Sequence, residues 1–174
     1  LWKHFDRFHD VEFIKPLYRN FIIRAAEFMV IYRDEKTKLP KPSYDLWEEK
    51  RGVHTFTVSA VFAGLEAAAN FAQAFGEIEL ANKYHAVAQE IREATKKYLF
   101  HKDLNRFAKV ANPSKDGYML DMTLDASVFG VWYFGVLNPD DPMVQSTMKA
   151  VYDRLWVKTE VGGLARYEND AYHQ

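Results

Sequence analysis

Trp47 stands directly before two carboxylates, Glu48 and Glu49, in the run Pro40-Lys41-Pro42-Ser43-Tyr44-Asp45-Leu46-Trp47-Glu48-Glu49-Lys50-Arg51-Gly52. The prolines stiffen an extended approach to it. An aromatic ring beside carboxylates suits a sugar. The ring stacks on apolar C–H faces and carboxylates accept from hydroxyls, while a carboxyl kept protonated by a partly apolar setting donates to a glycosidic oxygen. Acidic residues ahead of a helix also serve as ordinary dipole partners. Adjacent glutamates point in different directions in a strand or a helix, so Glu48 and Glu49 need separate roles.

Other candidates are weaker. His54 follows this segment, where it either reaches a sugar hydroxyl or caps a helix start. His4, His9, His85, His101 and His173 have no metal-ligand spacing, and neither a metal nor a cofactor is expected. Asp125, in Thr123-Leu124-Asp125-Ala126-Ser127, opens an apolar segment and is expected to accept backbone N–H groups there. Glu168 and Asp170 follow Arg166 and are expected to pair with it or with solvent.

Composition narrows the partners. The chain has 174 residues, 48% hydrophobic and 16% aromatic, which supports a packed core and excludes disorder or a coiled-coil rod. Lys plus Arg (23) nearly balance Asp plus Glu (24), so no field recruits nucleic acid. There are no cysteines, so packing must supply the stability. No continuous apolar run approaches the roughly 18 residues of a membrane helix. A cytoplasmic location is expected, with no membrane partner. The chain opens on Leu1 and ends on Gln174, and it reads as an internal fragment.

The elements that must position these residues are helices of two kinds. Residues 11–32, 77–99 and 142–157 carry apolar residues at three- and four-residue steps on one side, predicting amphipathic helices. Residues 55–75 and 124–136 are apolar nearly all round, predicting buried ones. Residues 1–9 read as the tail of an earlier buried helix. The joints from buried to exposed helices are short, so those helices lie antiparallel. The reverse joints, 34–54, 101–123 and 158 onward, are long and must emerge together at one end. Strand-like runs at 107–110 and 118–122 flank Asn112-Pro113-Ser114-Lys115-Asp116-Gly117, predicting an inserted β-hairpin with Tyr118 on the rim. An all-α toroid of inner and outer helices explains the alternation better than an α-solenoid, whose repeats are usually about 34–47 residues, shorter than the spacing here of about 65.

The run YDLWEEKRGVHTFT, with FIKPLY before it and TLDAS and GGLARYENDAY after it, resembles glycoside hydrolase family 15, the glucoamylase-like hydrolases. The resemblance spans nearly the whole chain and implies a barrel of six inner and six outer helices, of which the chain would carry about half as one domain. It implies that Glu48 is the general acid and that Glu49 contacts sugar hydroxyls. Tyr44 and Trp47 would line the pocket, Asp45 would support the segment, and Arg166 would hold substrate, although Ala165 stands where many relatives have glycine. It places the general base beyond Gln174 and an arginine–aspartate pair that grips the terminal sugar before Leu1.

The implied activity is inverting, exo-acting hydrolysis of α-glucosidic bonds in an α-glucan, a gluco-oligosaccharide or trehalose. The alternative is a non-catalytic helical scaffold. The 174 residues alone are expected to be inactive, and the rest of the barrel or a second chain is expected to cover residues 55–75 and 124–136.

Overall fold

The computed structural model describes residues 1–115 and 117–170; His173 and the end of the 162–172 run lie outside them. The helices are α1 (Trp2–Phe8), α2 (Val11–Leu17), α3 (Arg24–Ile31), α4 (Thr55–Ala74), α5 (Ile78–Tyr98), α6 (Gly130–Tyr133) and α7 (Pro142–Leu155). Between them run β1 (Ser43–Tyr44), β2 (Arg51–His54), β3 (Phe100–His101), β4 (Arg106–Phe107), β5 (Val110–Ser114) and β6 (Gly117–Asp121).

The alanine-rich α4 is the hub. Val58, Phe62, Leu65, Ala69 and Phe71 are buried along it, and α1, α3, α5 and α6 all pack on it. Each such Phe, Leu or Val contributes about 1.5–3 kcal/mol by leaving water. By length and composition α4 is long and apolar enough to cross a membrane, although Ser59, Glu66 and Asn70 interrupt it, and half of that stretch is buried inside this fold. It ends where the Glu77 N–H donates to the Ala72 carbonyl at 2.8 Å and the Gly76 N–H to Gln73 at 3.0 Å, with Gly76 at φ 80°. This Schellman closure needs a left-handed residue, which glycine supplies without strain.

The chain then returns as α5, whose buried Ala81, Tyr84, Ala88, Ile91 and Thr95 keep the expected stride. Ion pairs tie α3 and the residues just after it to α5: Lys83 to Glu27 within α3 and Arg33, past its end, to Glu90, each at 2.8 Å, with the Tyr84 hydroxyl donating to Glu27 at 2.7 Å. At the far end Asp141 caps α7 by accepting from the Met143 N–H, with Pro142 in the first turn.

Several expectations change in the structure. Residues 11–32 form no single regular helix. Pro16 lies in its first part, and a π-helical stretch, Tyr18–Ile23, separates α2 from α3. The added residue per turn brings Ile14, Tyr18, Ile22 and Ala26 into the core at steps of four and leaves Phe21, Phe28 and Ile31 exposed. Residues 124–136 yield only a 3-10 turn, Ala126–Phe129, and the four-residue α6, because Gly135 adopts φ 78° and stops the helix.

The all-α expectation is also too simple: the chain is mainly helical, but its β part exceeds one hairpin. β5 and β6 pair from Val110↔Asp121 to Ser114↔Gly117, so the first strand begins three residues later than predicted while the second falls within a residue of its predicted place. Phe107 pairs instead with Phe100, in a separate β3–β4 ribbon. The larger sheet runs β1-β2-β5-β6, all antiparallel, so the strand before α4 is stitched to the hairpin. Segment 158–170 closes onto the same region: the Ala126 N–H donates to the Arg166 carbonyl at 2.7 Å and the Glu168 N–H to Leu124 at 2.9 Å. The three long joints therefore do meet at one end.

Candidate active site

The carboxylate pair lies in the loop between β1 and β2, one strand away from the helix start at which the sequence pattern put it. The chain reverses tightly here. The Glu48 N–H donates to the Asp45 carbonyl at 3.1 Å, the Asp45 N–H donates to the Lys50 carbonyl at 3.0 Å, and the Asp45 carboxylate accepts from the Glu49 N–H at 2.8 Å. Glu48 consequently sits at φ 60°. That left-handed conformation costs a non-glycine residue roughly 1–2 kcal/mol. Asp45 is buried, and its Oδ2 has no hydrogen-bond partner among the described residues.

The reversal separates the two glutamates. Glu48 is exposed, and no hydrogen bond or ion pair among the described residues engages its carboxylate. These residues do not build the partly apolar setting expected around it. Glu49 turns toward segment 158–170, where its Oε2 accepts from the Tyr167 hydroxyl at 2.6 Å and its Oε1 lies 3.5 Å from Arg166 Nη2. Donating to this carboxylate, with some loss of solvation, pushes the Tyr167 hydroxyl up to about 12. It therefore remains a donor at any neutral pH.

Arg166 reaches the cluster from the other side. It donates to both Asp170 oxygens at 2.7 Å, and this fork holds its pKa above the ordinary arginine value. Its guanidinium carbon lies 5.1 Å from the Trp47 ring and 5.2 Å from the Tyr167 ring. Asp170 thus pairs with Arg166 as expected, whereas Glu168 does not: it accepts from the Leu124 N–H at 2.9 Å and from Arg154 at 3.2 Å.

Trp47 is anchored from below, its Nε1–H donating to Asp125 Oδ2 at 3.0 Å. Asp125 also accepts from the Ser127 N–H at 2.7 Å, the backbone contact its position predicted. It further forms a buried ion pair with Lys109 at 2.9 Å, the two side chains being 0% and 4% exposed. The Lys109 ammonium lies 4.0 Å from the Tyr167 ring centroid. Sequence reasoning missed Lys109 and Tyr167. A lone cation among Phe107, Ala108, Val110 and Ala111, all buried, was a legible signal for the first; nothing local marked the second.

The remaining candidates fall on either side of this cluster. Tyr44 lies on β1 opposite Arg51 and is exposed. His54 is 2% exposed and turns its Nε2 back to the Lys50 carbonyl at 3.0 Å, so it closes the turn from inside and makes no side-chain cap on α4. Burial lowers its pKa, against the pull of the Asp45 charge. Tyr118 faces away, bonded to Thr37 at 3.1 Å and edge-on to Tyr98. Among the described residues no group of three or more His, Cys, Asp or Glu is arranged to hold a metal.

A buttressed, exposed carboxylate, a second carboxylate held by a phenol and a guanidinium, and an anchored indole form a polar surface ringed by aromatic faces. Groups of these types can accept from hydroxyls, donate to oxygen and stack on apolar C–H faces.

Comparison with known proteins points the same way. The model of the family described as glycosyl hydrolases family 15 matches residues 36–174. An uncharacterized glycosyl hydrolase of Methanocaldococcus jannaschii is 31% identical over 170 residues, covering 97% of this chain and 26% of that protein. A glucoamylase of a Clostridium species is 30% identical over 152 residues, covering 76% of this chain and 22% of that protein. Among solved structures, a bacterial glucoamylase complexed with acarbose is similar with a TM-score of 0.73 at 22% identity, over 91% of this chain and 26% of that one. A rhamnosidase from Klebsiella oxytoca with rhamnose bound is similar at 0.67 and 14%, over 88% and 28%. At these identities the two structures speak to the fold alone. The chain spans about a quarter of the length of the proteins it matches.

Proposed function

This chain belongs to glycosyl hydrolases family 15, and from that membership we propose that it carries the general acid of an inverting, exo-acting hydrolase of α-glucosidic bonds. The observation that carries this reading is the division of labour in the 45–50 turn. Asp45 holds the backbone so that the Glu48 carboxylate stands exposed and unengaged by the described residues, while Glu49 is committed to Tyr167 and Arg166.

In the proposed reaction Glu48 gives its proton to the glycosidic oxygen as the bond from the anomeric carbon to that oxygen breaks. Water adds to the opposite face, losing a proton to a second carboxylate, and the configuration inverts. Inversion sets the two carboxyls roughly 6.5–9.5 Å apart, leaving room for the water. Glu168 and Asp170 are both engaged, the latter by Arg166, and the family resemblance assigns the base instead to a segment beyond Gln174. Glu49 and Arg166 hold sugar hydroxyls, and Trp47 and Tyr44 offer ring faces.

The chain forms part of a toroid of paired helices. The exposed apolar residues Phe21, Phe28 and Ile31 of the first helical segment and Trp132 and Tyr133 of α6 are covered by the rest of that barrel or by a second chain. An α-1,4-glucan, an α-1,6-dextran and trehalose are the substrates to assay.

The test is turnover of the full-length parent protein on maltose, isomaltose and trehalose, with and without Glu48→Gln. The amide keeps the shape but not the proton, so turnover falls by about 10²–10⁴-fold. Retention of more than a tenth of the turnover moves the acid elsewhere, and a parent inactive on all three sugars favours the scaffold.

A further inference from the structure

Lys109 occupies a place that a lysine rarely holds. Its side chain is 4% exposed, and its ion-pair partner Asp125 is fully buried. Removing both charges from water is costly, and a hydrophobic pair of similar volume is often at least as stable, so stability alone does not account for the pair. The geometry does. Asp125 Oδ2 takes Lys109 Nζ at 2.9 Å and Trp47 Nε1 at 3.0 Å, while Oδ1 takes the Ser127 N–H at 2.7 Å. Three donors leave the carboxylate no second orientation.

The lysine itself is pinned by its backbone, which donates to the Asp121 carbonyl at 3.0 Å and accepts from the Thr55 N–H at 3.1 Å. Its ammonium also lies 4.0 Å from the Tyr167 ring centroid, and the Tyr167 hydroxyl reaches Glu49 at 2.6 Å. The linkage from this cation to the acidic turn runs through Asp125 to Trp47.

We propose that Lys109 is a positioning residue: its buried pair with Asp125 fixes the acceptor that orients the Trp47 indole, and through Trp47 the turn bearing Glu48 and Glu49. The inference rests on the reading of Glu48 as general acid. Lys109 and Asp125 touch no reacting atom; they act through the indole.

The experiment is a double-mutant cycle in the full-length parent, with turnover on its best α-glucoside and melting temperature as readouts. One arm is Lys109→Met with Asp125→Asn, which removes both charges together and strands neither. The other is Trp47→Phe, which keeps a ring and the ion pair but deletes the indole donor. Each arm is expected to lower kcat about tenfold with KM changed by less than about threefold, and the combination is expected to be no worse than either arm, because both break one linkage.

Multiplicative losses, near a hundredfold in the combination, overturn the proposal, as does a Trp47→Phe enzyme with wild-type kcat. If the charge-free pair fails to fold, Trp47→Phe still decides. Glu48→Gln is measured in parallel: an active Glu48→Gln enzyme defeats the general-acid reading, whereas an inactive one beside wild-type activity in both arms defeats only the role of Lys109.

Discussion

The Tyr167 hydroxyl donates to Glu49 at 2.6 Å across 118 residues of sequence, joining the end of the described chain to its acidic turn. Tyr167→Phe deletes this donor and leaves the ring over Lys109. Because Glu49 is proposed to hold sugar hydroxyls, the loss should fall on substrate binding: KM rises about three- to tenfold while kcat changes less. Steady-state kinetics on maltose read the split, and an unchanged KM with a reduced kcat would remove Glu49 from ground-state binding.

Glu48 offers a separation of strain from chemistry. At φ 60° it holds a conformation that glycine adopts freely. Glu48→Gly should therefore leave the melting temperature unchanged or raise it, by up to about 1 kcal/mol of stability, while abolishing turnover. A clear loss of stability on thermal denaturation would mean that the turn does not strain this residue.

Gly52 is required by space. A Cβ there would come within 2.3 Å of Val110 Cγ2, because β2 lies against β5 at this point. Gly52→Ala should cost about 1–3 kcal/mol and displace the turn, lowering turnover as well. Val110→Ala in the same chain opens the space, and recovery of turnover in the pair would trace the defect to this one collision. Denaturant unfolding and the standard assay check both halves.

His54 gives the fold a pH dependence of definite sign. Burial holds its folded pKa below the unfolded 6.5, so between those values the unfolded chain binds the extra proton. Stability from this residue is complete above about pH 6.5 and is lost as pH falls toward the folded value. His54→Gln should flatten unfolding free energy between about pH 7 and pH 5 relative to wild type. An equal slope in both proteins would assign the acid sensitivity to other groups.

What the residues determined by themselves is whatever neighbours along the chain can encode. The stride of Tyr84, Val87, Ala88 and Ile91 predicted α5, and the backbone contact of Asp125 followed from its position before an apolar segment. The lengths of the joints predicted that they would meet at one end. The run around Trp47, Glu48 and Glu49 carried the chemistry, since residue type and spacing survive any folding.

Only the tertiary structure decided the rest. Pro16 and the π-helical stretch after it rotated Phe21 and Phe28 out of the core, because the added residue per turn changes which face a fixed spacing addresses. The acidic pair left the helix head for a strand loop because Val110 and Ala111 offered β2 a ladder of hydrogen bonds. The conformation of Glu48 depends on Asp45 bonds to both sides of a turn, and the orientation of Trp47 on a carboxylate 78 residues away. Periodicity is a property of near neighbours; hydrogen bonds and ion pairs between distant residues exist only once the chain has closed on itself.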